Sequence, residues 1–326
     1  MTSKPLDVLG VGVDLPPAVD VREYAAAQGA DVTDYRSWDN ACHGGPEDHP
    51  STMGERALRR ALTASGVSPS HLRLVVYAGS SRDYPASWSV STEIMRLCGV
   101  PDSAVGIDMM AGCVATLAAV DFVHGWLGSH GGGCAAVVSC ERWTQTVDFA
   151  DASSRTLWGH ADGAGALVVG LDTGTQGVVQ FLGAEFCSKS ALNGHVLVPY
   201  GGTREPQPPP GVSASQRRVS DRPVAELIEA YLDAYSQSYE AVVGRFEVRP
   251  THLICNQTTP GVVSLIGKEL DQQGSTTVTG HATGHLGGPD ILVGLDTYLA
   301  GNPCEQVIAL AASATYAFGT GLLVKP

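Results

Sequence analysis

An internal repeat constrains the fold of this chain more than any other feature of its sequence. In the first half, the turn Met110-Ala-Gly-Cys113 opens an apolar helical run to about Leu127. A glycine-rich turn follows, and Ala135-Ala-Val-Val-Ser-Cys140 has the pattern of a buried strand. That strand ends 27 residues after Cys113.

The second half repeats this order at the same spacing. The turn Ala282-Thr-Gly-His285 opens a similar run to about Leu299, and Val307-Ile-Ala-Leu-Ala-Ala312 is the second buried strand. It ends 27 residues after His285. Equal spacing of turn, helix and strand in two halves indicates a duplicated α/β unit.

A helix and a buried strand also precede the repeated segment in each half. The first pair is a helix from about Met53 to Ser65 and the strand Leu74–Ala78. The second pair is a helix from about Val224 to Val243 and the strand His252–Cys255. Short buried strands that alternate with helices are typical of parallel sheets covered on both faces. We therefore predict an α/β fold with two halves related by a pseudo-twofold axis.

Residues 1–172 are predicted to form the half that carries Cys113, and residues 173–326 the half that carries Asn256 and His285. All three side chains are expected at the carboxyl ends of strands, where parallel sheets bind ligands. A pseudo-twofold packing would bring the two repeated turns, and hence the thiol and the imidazole, to one site.

Cys113 has the surroundings of a nucleophile. It follows Ala-Gly at a strand-to-helix turn, where free backbone N–H groups and the helix dipole favour a thiolate. The other reading is a buried structural thiol, the usual state of a cysteine in an apolar run. Cysteines without CxxC pairs indicate a reducing compartment. The eight are Cys42, Cys98, Cys113, Cys134, Cys140, Cys187, Cys255 and Cys304.

His285 lies within Thr283-Gly-His-Leu-Gly-Gly-Pro-Asp290 and is the candidate general base. His281 and His285 are four residues apart, like two metal ligands on one helix face, but the surrounding glycines disfavour a continuous helix. We therefore expect no metal site. Asn256 ends its strand, where an amide donates to a carbonyl oxygen, holds a water or caps a turn.

Composition and motifs exclude several classes of protein. The 33 acidic residues exceed the 20 basic ones and give a net charge of -13, with no basic patch, so a nucleic-acid partner is not expected. The sequence has no GxxxxGK[ST] loop and no recognisable secretory signal. The uncharged stretch Val307–Val324 contains turn residues and favours two buried strands over a membrane helix. We expect a cytoplasmic protein without a nucleotide cofactor.

Three features leave alternatives open. The segment 201–223 is rich in Pro, Ser and Arg and forms either a lid over the substrate or an arm at a dimer interface. The side chains of Trp88, Trp143 and Trp158 line a tunnel or, as we favour, fill the core. Four arginines are candidates for a basic rim that receives an acidic carrier protein: Arg36, Arg82, Arg217 and Arg218.

Two segments resemble motifs of the thiolase superfamily, specifically of its ketoacyl-carrier-protein synthase III branch. Met109-Met-Ala-Gly-Cys113 resembles the nucleophile segment of that branch. Leu157-Trp-Gly-His-Ala-Asp-Gly-Ala-Gly-Ala-Leu-Val-Val resembles its aromatic-Gly-Asp-Gly-Ala-Gly-Ala strand, with two extra residues. The resemblance implies a five-layered αβαβα fold, a homodimer and an acyl-Cys113 intermediate. It also implies acyl donors carried on coenzyme A or an acyl carrier protein, and no further cofactor.

Three positions depart from the condensing members of that branch. Those members have His where this chain has Asn256 and Asn where it has His285, and their glycine-rich C-terminal turn is Ser313-Ala-Thr-Tyr here. The resemblance implies that an oxyanion is held by the backbone N–H of Cys113 and by one near Ala314. The order Cys, Asn, His is closer to degradative thiolases and to acyltransferases of natural-product pathways.

We therefore predict an acyltransferase that moves an acyl group through Cys113 to a hydroxyl, an amine or another carrier. In this scheme His285 deprotonates the acceptor and Asn256 orients it. Two alternatives are decarboxylative carbon–carbon condensation with a malonyl thioester and a catalytically silent subunit of a heterodimeric synthase.

Overall fold

The computed structural model describes residues 4–85, 87–212, 216–272, 275–301 and 307–326, so Cys304 and part of the segment 201–223 lie outside the described residues. The strands are β1 (Leu6–Asp14), β2 (Ala18–Asp20), β3 (Asn40–Cys42), β4 (Leu72–Ala78), β5 (Val105–Met109), β6 (Gly133–Arg142), β7 (Asp162–Leu171), β8 (Val179–Ser188), β9 (Val196–Leu197), β10 (Arg218–Val219), β11 (His252–Cys255), β12 (Thr276–Thr277), β13 (Val307–Ala314) and β14 (Ala317–Val324). The helices are α1 (Val21–Ala27), α2 (Pro50–Ser65), α3 (Val90–Cys98), α4 (Ala115–Ser129), α5 (Val224–Phe246), α6 (Pro260–Glu269), α7 (Gly280–Thr283) and α8 (Asp290–Ala300).

A ten-stranded sheet has the order β12-β11-β13-β14-β8-β1-β7-β6-β4-β5. Outward from its centre the first half has the order β1-β7-β6-β4-β5 and the second the order β8-β14-β13-β11-β12, so each strand has a counterpart. The halves meet where Leu6–Val8 of β1 pairs with Val179–Phe181 of β8. This strand order confirms the predicted pseudo-twofold relation. The boundary between residues 172 and 173 stays a prediction.

Three apolar clusters separate the layers of the molecule. The largest packs α4 and α8 between the two halves of the sheet. A second packs α2 and α3 on the outer face of the first half, and a third packs α5 and α6 on the outer face of the second half. The layers therefore alternate helix, sheet, helix, sheet, helix, as the αβαβα prediction requires.

Strand β4 illustrates why these sequences form buried strands. Successive side chains of a strand point to opposite faces, and here Leu74, Val76 and Ala78 face the central helices while Val75 and Tyr77 face the outer ones. Both faces are covered, so an uninterrupted apolar run is required. The stretch Val307–Val324 follows the same rule and forms the two predicted strands, β13 and β14. In the part of the chain that the structure describes, every helix is too short or too polar to cross a bilayer.

The two repeated turns differ in where the next helix begins. α4 begins at Ala115, directly after the turn that holds Cys113, whereas α8 begins at Asp290, after Leu-Gly-Gly-Pro. The turn and the end of the next strand are 27 residues apart in both halves. Because α8 begins later after its turn than α4 does, α8 is shorter than the helix that the sequence predicts.

The short helix α7 ends at Thr283, so His281 and His285 do not share a helix face. Gly284 follows with a φ of 73°, in the region that favours glycine, and turns the chain out of the helix. Among the described residues, no group of three His, Cys, Asp or Glu side chains is placed to hold a metal ion.

Candidate active site

A tight turn places Cys113 between the two halves of the molecule. β5 ends at Met109 and α4 begins at Ala115, and Gly112 between them has a φ of 57°. A Cβ atom on Gly112 would lie 2.6 Å from the Cβ of Ala314 in β13 of the other half. Glycine therefore allows this close approach, and the two predicted oxyanion positions lie side by side.

The Cys113 side chain is surrounded by protein. It is 9% exposed, and burial raises the pKa of its thiol well above the usual range. The carboxylates of Glu141 and Asp290 raise this pKa further, and the Arg217 guanidinium acts in the opposite direction. The expectation that the turn favours a thiolate is therefore wrong for the resting protein, because desolvation outweighs the backbone N–H groups. A base has to remove the proton before Cys113 can attack.

His285 is oriented by a carboxylate that the sequence analysis did not assign. Its Nδ1 lies 2.6 Å from Oδ2 of Asp290, the first residue of α8. Asp290 is fully buried and also accepts hydrogen bonds from the backbone N–H groups of Leu286 and Gln257. With Nδ1 bound to the carboxylate, Nε2 is the ring nitrogen left for proton transfer.

A signal for Asp290 does exist in the sequence. It is a lone carboxylate at the start of an apolar run, five residues after His285. Buried carboxylates are rare unless they are paired, so a partner was to be expected. Without the helix start at residue 290, however, the spacing alone does not show that the side chain points back at the imidazole.

The backbone of His285 is held by the first half of the molecule. Its N–H donates to Gly159 O at 2.8 Å, and its carbonyl oxygen accepts from Ala161 N at 2.9 Å. His160 lies between these two anchors, and its ring centroid is 5.0 Å from that of His285. The segment that resembles the aromatic-Gly-Asp-Gly motif therefore positions the candidate base.

The side-chain amide of Asn256 connects two segments of the site by hydrogen bonds. It follows β11 and is fully buried. Its Nδ2 donates to Gly287 O at 2.7 Å, and its Oδ1 accepts from Ser313 N at 2.8 Å. One amide thus ties the turn that carries His285 to the end of β13, next to Ala314. Its predicted contact with a substrate or water stays a prediction.

A cavity of about 530 Å³ lies beside Trp143. Trp143 lines it and is the neighbour of the candidate base, with its ring centroid 5.2 Å from that of His285. Of the three tryptophans, Trp143 therefore belongs to the cavity wall, whereas Trp158 is fully buried in a core cluster and Trp88 packs against another. Gly287 allows this contact, because a Cβ there would lie 2.5 Å from the Trp143 ring.

The segment 201–223 reaches the cavity through Arg217. The guanidinium lies over the face of Trp143, 4.3 Å from the ring centroid, and the Arg217 backbone N–H donates to Thr146 O. This position supports the lid reading for that part of the segment. Arg82 also lines the cavity, bound to Asp108, so two of the four candidates for a basic rim line this cavity, and the rim itself stays a prediction.

A buried carboxylate underlies the same cavity. Glu141 is fully buried and accepts four hydrogen bonds, from the backbone N–H and the hydroxyl of both Ser80 and Ser81. Ser80 Oγ in turn accepts from Trp143 Nε1 at 3.2 Å. This network holds the Trp143 ring in place, and nothing in the sequence pattern indicated it.

A second, apolar groove of about 220 Å³ lies between α5 and α6. Leu227, Ile228 and Val262 line it together with Tyr231. Burial raises the pKa of Tyr231, and negative charge on Cys113 adds to the rise. The residues that line this groove belong to the second half of the molecule.

Solved structures share this architecture at low sequence identity. A 3-oxoacyl-(acyl carrier protein) synthase III of Pseudomonas aeruginosa PAO1 superposes with a TM-score of 0.86 at 18% identity, over 99% of each chain. A variant of Xanthomonas campestris OleA superposes with a TM-score of 0.85 at 14% identity, again over 99% of each chain. These likenesses establish the fold.

Sequence comparisons place the match around the nucleophile turn. The family model of 3-oxoacyl-[acyl-carrier-protein (ACP)] synthase III matches residues 107–190. A beta-ketoacyl-[acyl-carrier-protein] synthase III of Sphingopyxis alaskensis is 33% identical over 126 residues, and an acetoacetyl CoA synthase of Streptomyces sp. (strain CL190) is 26% identical over 223 residues. Residues 107–190 of this chain thus resemble synthase III proteins, and the solved structures show that the whole chain shares their fold.

The aligned segments cover only part of this chain and only part of each curated relative. It covers 38% of this chain and 37% of the Sphingopyxis alaskensis protein, and 68% of this chain and 66% of the Streptomyces protein. The family model spans Cys113 and the segment around His160, and ends before Asn256 and His285. The residues exchanged relative to condensing members thus lie beyond the segment that the synthase III model matches.

Proposed function

We propose that this protein is an acyltransferase that works by a ping-pong mechanism through an acyl-Cys113 intermediate. The observation that carries the proposal is the His285–Asp290 pair, which fixes one imidazole nitrogen and leaves Nε2 for the reaction. The amide of Asn256 is already bound to Gly287 and Ser313. The site thus combines one nucleophile, one oriented base and one bracing amide.

In the first step, His285 Nε2 takes the proton of the Cys113 thiol, and the sulfur attacks the thioester carbonyl carbon. The charge that develops on the oxygen is held by backbone N–H groups near Cys113 and Ala314. The bond to the donor sulfur breaks, and the proton on His285 passes to that leaving thiolate. A free thiol and an acyl-Cys113 thioester result.

In the second step, an acceptor hydroxyl or amine loses its proton to His285 Nε2 as it attacks the acyl carbon. The bond to the Cys113 sulfur breaks, and the same proton returns to that sulfur. Asp290 stabilises the imidazolium that forms between the two transfers and keeps the ring in one orientation. An ester or amide leaves, and the resting thiol is restored.

The donor is proposed to be a thioester of coenzyme A or of an acyl carrier protein. The apolar groove between α5 and α6 is suited to the uncharged arm of such a donor, because apolar side chains line most of it. A small-molecule or carrier-bound acceptor, a role in natural-product biosynthesis, a cytoplasmic location and a homodimer belong to the same proposal.

The second candidate is decarboxylative condensation with a malonyl thioester. The names of the curated relatives favour it, because both are synthases. In that reaction Asn256 and His285 would together hold the enolate oxygen, and each would donate a hydrogen bond to it. A silent subunit is disfavoured because both Cys113 and the His285–Asp290 pair are present.

Single-turnover measurements on wild type, His285→Ala and Asn256→Ala separate the two reactions. The rates of self-acylation, transfer and carbon dioxide release from a malonyl thioester are measured for each protein. We expect transfer without carbon dioxide release, and a larger loss of transfer in His285→Ala than in Asn256→Ala. A wild type that decarboxylates, with equal and severe loss in both variants, would establish condensation instead.

A further inference from the structure

Arg217 places a positively charged guanidinium in the cavity wall, and among the described residues this guanidinium has no ion pair. Among the described residues no carboxylate forms an ion pair with its guanidinium and no group accepts a hydrogen bond from it; its contact is the face of Trp143. The other arginines of the cavity are occupied. Arg82 is bound to Asp108, and Arg142 donates to Gly45 O and to His49.

Burial makes an unpaired charge on the Arg217 guanidinium energetically unfavourable. Burial lowers the pKa of Arg217 to about 10, so the guanidinium is partly desolvated yet still protonated near neutral pH. Removing a charge from water without a counter-ion is unfavourable. An anion that enters the cavity relieves this cost, and a guanidinium offers a carboxylate two parallel N–H donors.

The nearby carboxylates are engaged elsewhere. Glu141 accepts its four hydrogen bonds from Ser80 and Ser81, and Asp162 accepts from Thr144 and Gly44. Asp83, which lines the cavity, accepts from the N–H and hydroxyl of a residue at the start of α2. Glu141 and Asp162 favour a protonated Arg217, but none of the three carboxylates accepts a hydrogen bond from its guanidinium.

Trp143 connects Arg217 to the candidate base. Positive charge on Arg217 lowers the pKa of Cys113, and negative charge on Cys113 raises the pKa of Arg217. The ring of Trp143 contacts both groups: its centroid is 4.3 Å from the Arg217 guanidinium and 5.2 Å from the ring centroid of His285. An acyl group on the Cys113 sulfur, which His285 serves in the proposed mechanism, would therefore come close to Trp143 and to the cavity that Arg217 lines.

We propose that Arg217 binds a carboxylate on the acyl group that Cys113 carries, so that the donor is the half-thioester of a short dicarboxylic acid. This inference rests on the proposed acyl-Cys113 intermediate and names its substrate class. Pairing with Arg217 also opposes decarboxylation, because loss of carbon dioxide would remove the charge that the guanidinium stabilises. The carboxylate is then retained in the transferred group.

The first test needs no acyl donor. Iodoacetate and iodoacetamide alkylate the same thiolate and differ mainly in one carboxylate, so the ratio of their rates at Cys113 cancels any change in thiolate fraction. We expect Arg217→Gln to lower the iodoacetate-to-iodoacetamide ratio by about tenfold to one hundredfold, the range for losing a charge-assisted hydrogen bond. Arg217→Lys should keep part of the ratio, because the charge remains.

Arg218→Gln is the matched control, since Arg218 is exposed and donates to Tyr200 Oη. Its ratio should equal that of wild type. Thermal unfolding of each variant checks that the fold persists. An unchanged ratio in a folded Arg217→Gln protein overturns the anion site, whatever the fate of the proposed function.

The second test uses donors of matched shape. The isovaleryl group has an isopropyl group where the malonyl group has a carboxylate of similar shape, so the ratio of their self-acylation rates reports the charge. We expect wild type to prefer malonyl and Arg217→Gln to lose that preference by about tenfold to one hundredfold. Equal acylation by both donors in wild type overturns the inference, whereas acylation by no thioester contradicts the proposed function itself.

Two further arms identify the source of the anion. N-acetylcysteamine thioesters lack the phosphates of coenzyme A, so an Arg217 effect that disappears with them assigns the anion to the carrier. Transfer of a neutral acyl group from Cys113 to charged and uncharged acceptors tests whether the acceptor carries the anion that Arg217 binds. An Arg217 effect confined to charged acceptors assigns the carboxylate to the acceptor, and either result overturns the proposal.

Discussion

The two repeated turns hold equivalent places in the fold but present their side chains in different ways. The turn of Cys113 runs directly into α4, so its thiol depends on burial and nearby backbone N–H groups. The turn of His285 contains extra residues before α8, and Asp290 at the helix start reaches back to the imidazole. The same scaffold therefore serves a nucleophile or a base according to where the following helix begins.

Each turn is also stabilised by the opposite half of the molecule. Gly112 allows Ala314 of the second half to pack beside Cys113. The backbone of His285 is held by Gly159 and Ala161 of the first half. Neither half therefore contains a complete site, although each contains a complete α/β unit.

The largest effect is expected from removing the nucleophile. Cys113→Ala should abolish acyl-enzyme formation, because no other thiol lies at this turn, while the small side chain keeps the packing beside Ala314. Intact-mass spectrometry after incubation with acyl thioesters measures this. Cys98→Ala, which removes a buried thiol from α3, should acylate as wild type does. Acylation retained in the Cys113 variant would exclude Cys113 from the mechanism.

A smaller but still large effect is expected at the partner turn. His285→Ala should slow transfer from the acyl-enzyme by about two to four powers of ten, the usual range for a positioned base. Self-acylation should fall as well, since burial keeps the Cys113 thiol protonated. Single-turnover transfer from preformed acyl-enzyme tests this, and transfer at the wild-type rate would show that another group serves as base.

The third prediction tests the helix start that distinguishes the turns. Asp290→Asn should slow transfer by about tenfold to one hundredfold, because a hydrogen bond to the imidazolium loses its charge assistance. The pH profile of transfer should also change, which a merely structural loss would not produce. Asp296→Asn lies on the same helix and is the control. Identical pH profiles for wild type and Asp290→Asn would remove Asp290 from its positioning role.

The smallest effect concerns the resting state of the nucleophile. The raised pKa of Cys113 means that its thiolate fraction increases about tenfold per pH unit throughout the neutral range. The iodoacetamide rate at Cys113 should therefore rise steadily from pH 6 to about pH 9. A plateau near neutral pH would instead show a thiolate already formed, and would restore the expectation drawn from the turn alone.

Much of the architecture was predictable because local patterns determine it. The apolar runs of β4, β11, β13 and β14 require burial on both faces, and the 27-residue spacing shows that the two halves are copies. Cys113 and His285 were identifiable because they stand at equivalent turns. The five layers were implied by the resemblance to the synthase III branch, and the strand order was seen only in the structure.

The properties of the site depend on contacts between distant segments. Arg217 reaches Trp143 across a difference of 74 positions in the chain, and Asn256 joins Gly287 to Ser313. The protonation of Cys113 likewise depends on burial by both halves, which reverses the expectation from its helix N-terminus.

By itself, the sequence determined the repeated α/β units, their strands and the turns that carry thiol and imidazole, because periodicity and spacing are local properties. Only the tertiary structure decided that Asp290 orients His285 and that Asn256 braces the site. It also decided that Arg217 enters the cavity with its donors free among the described residues. Hydrogen bonds and desolvation depend on distances that separate segments acquire only when the two halves pack together.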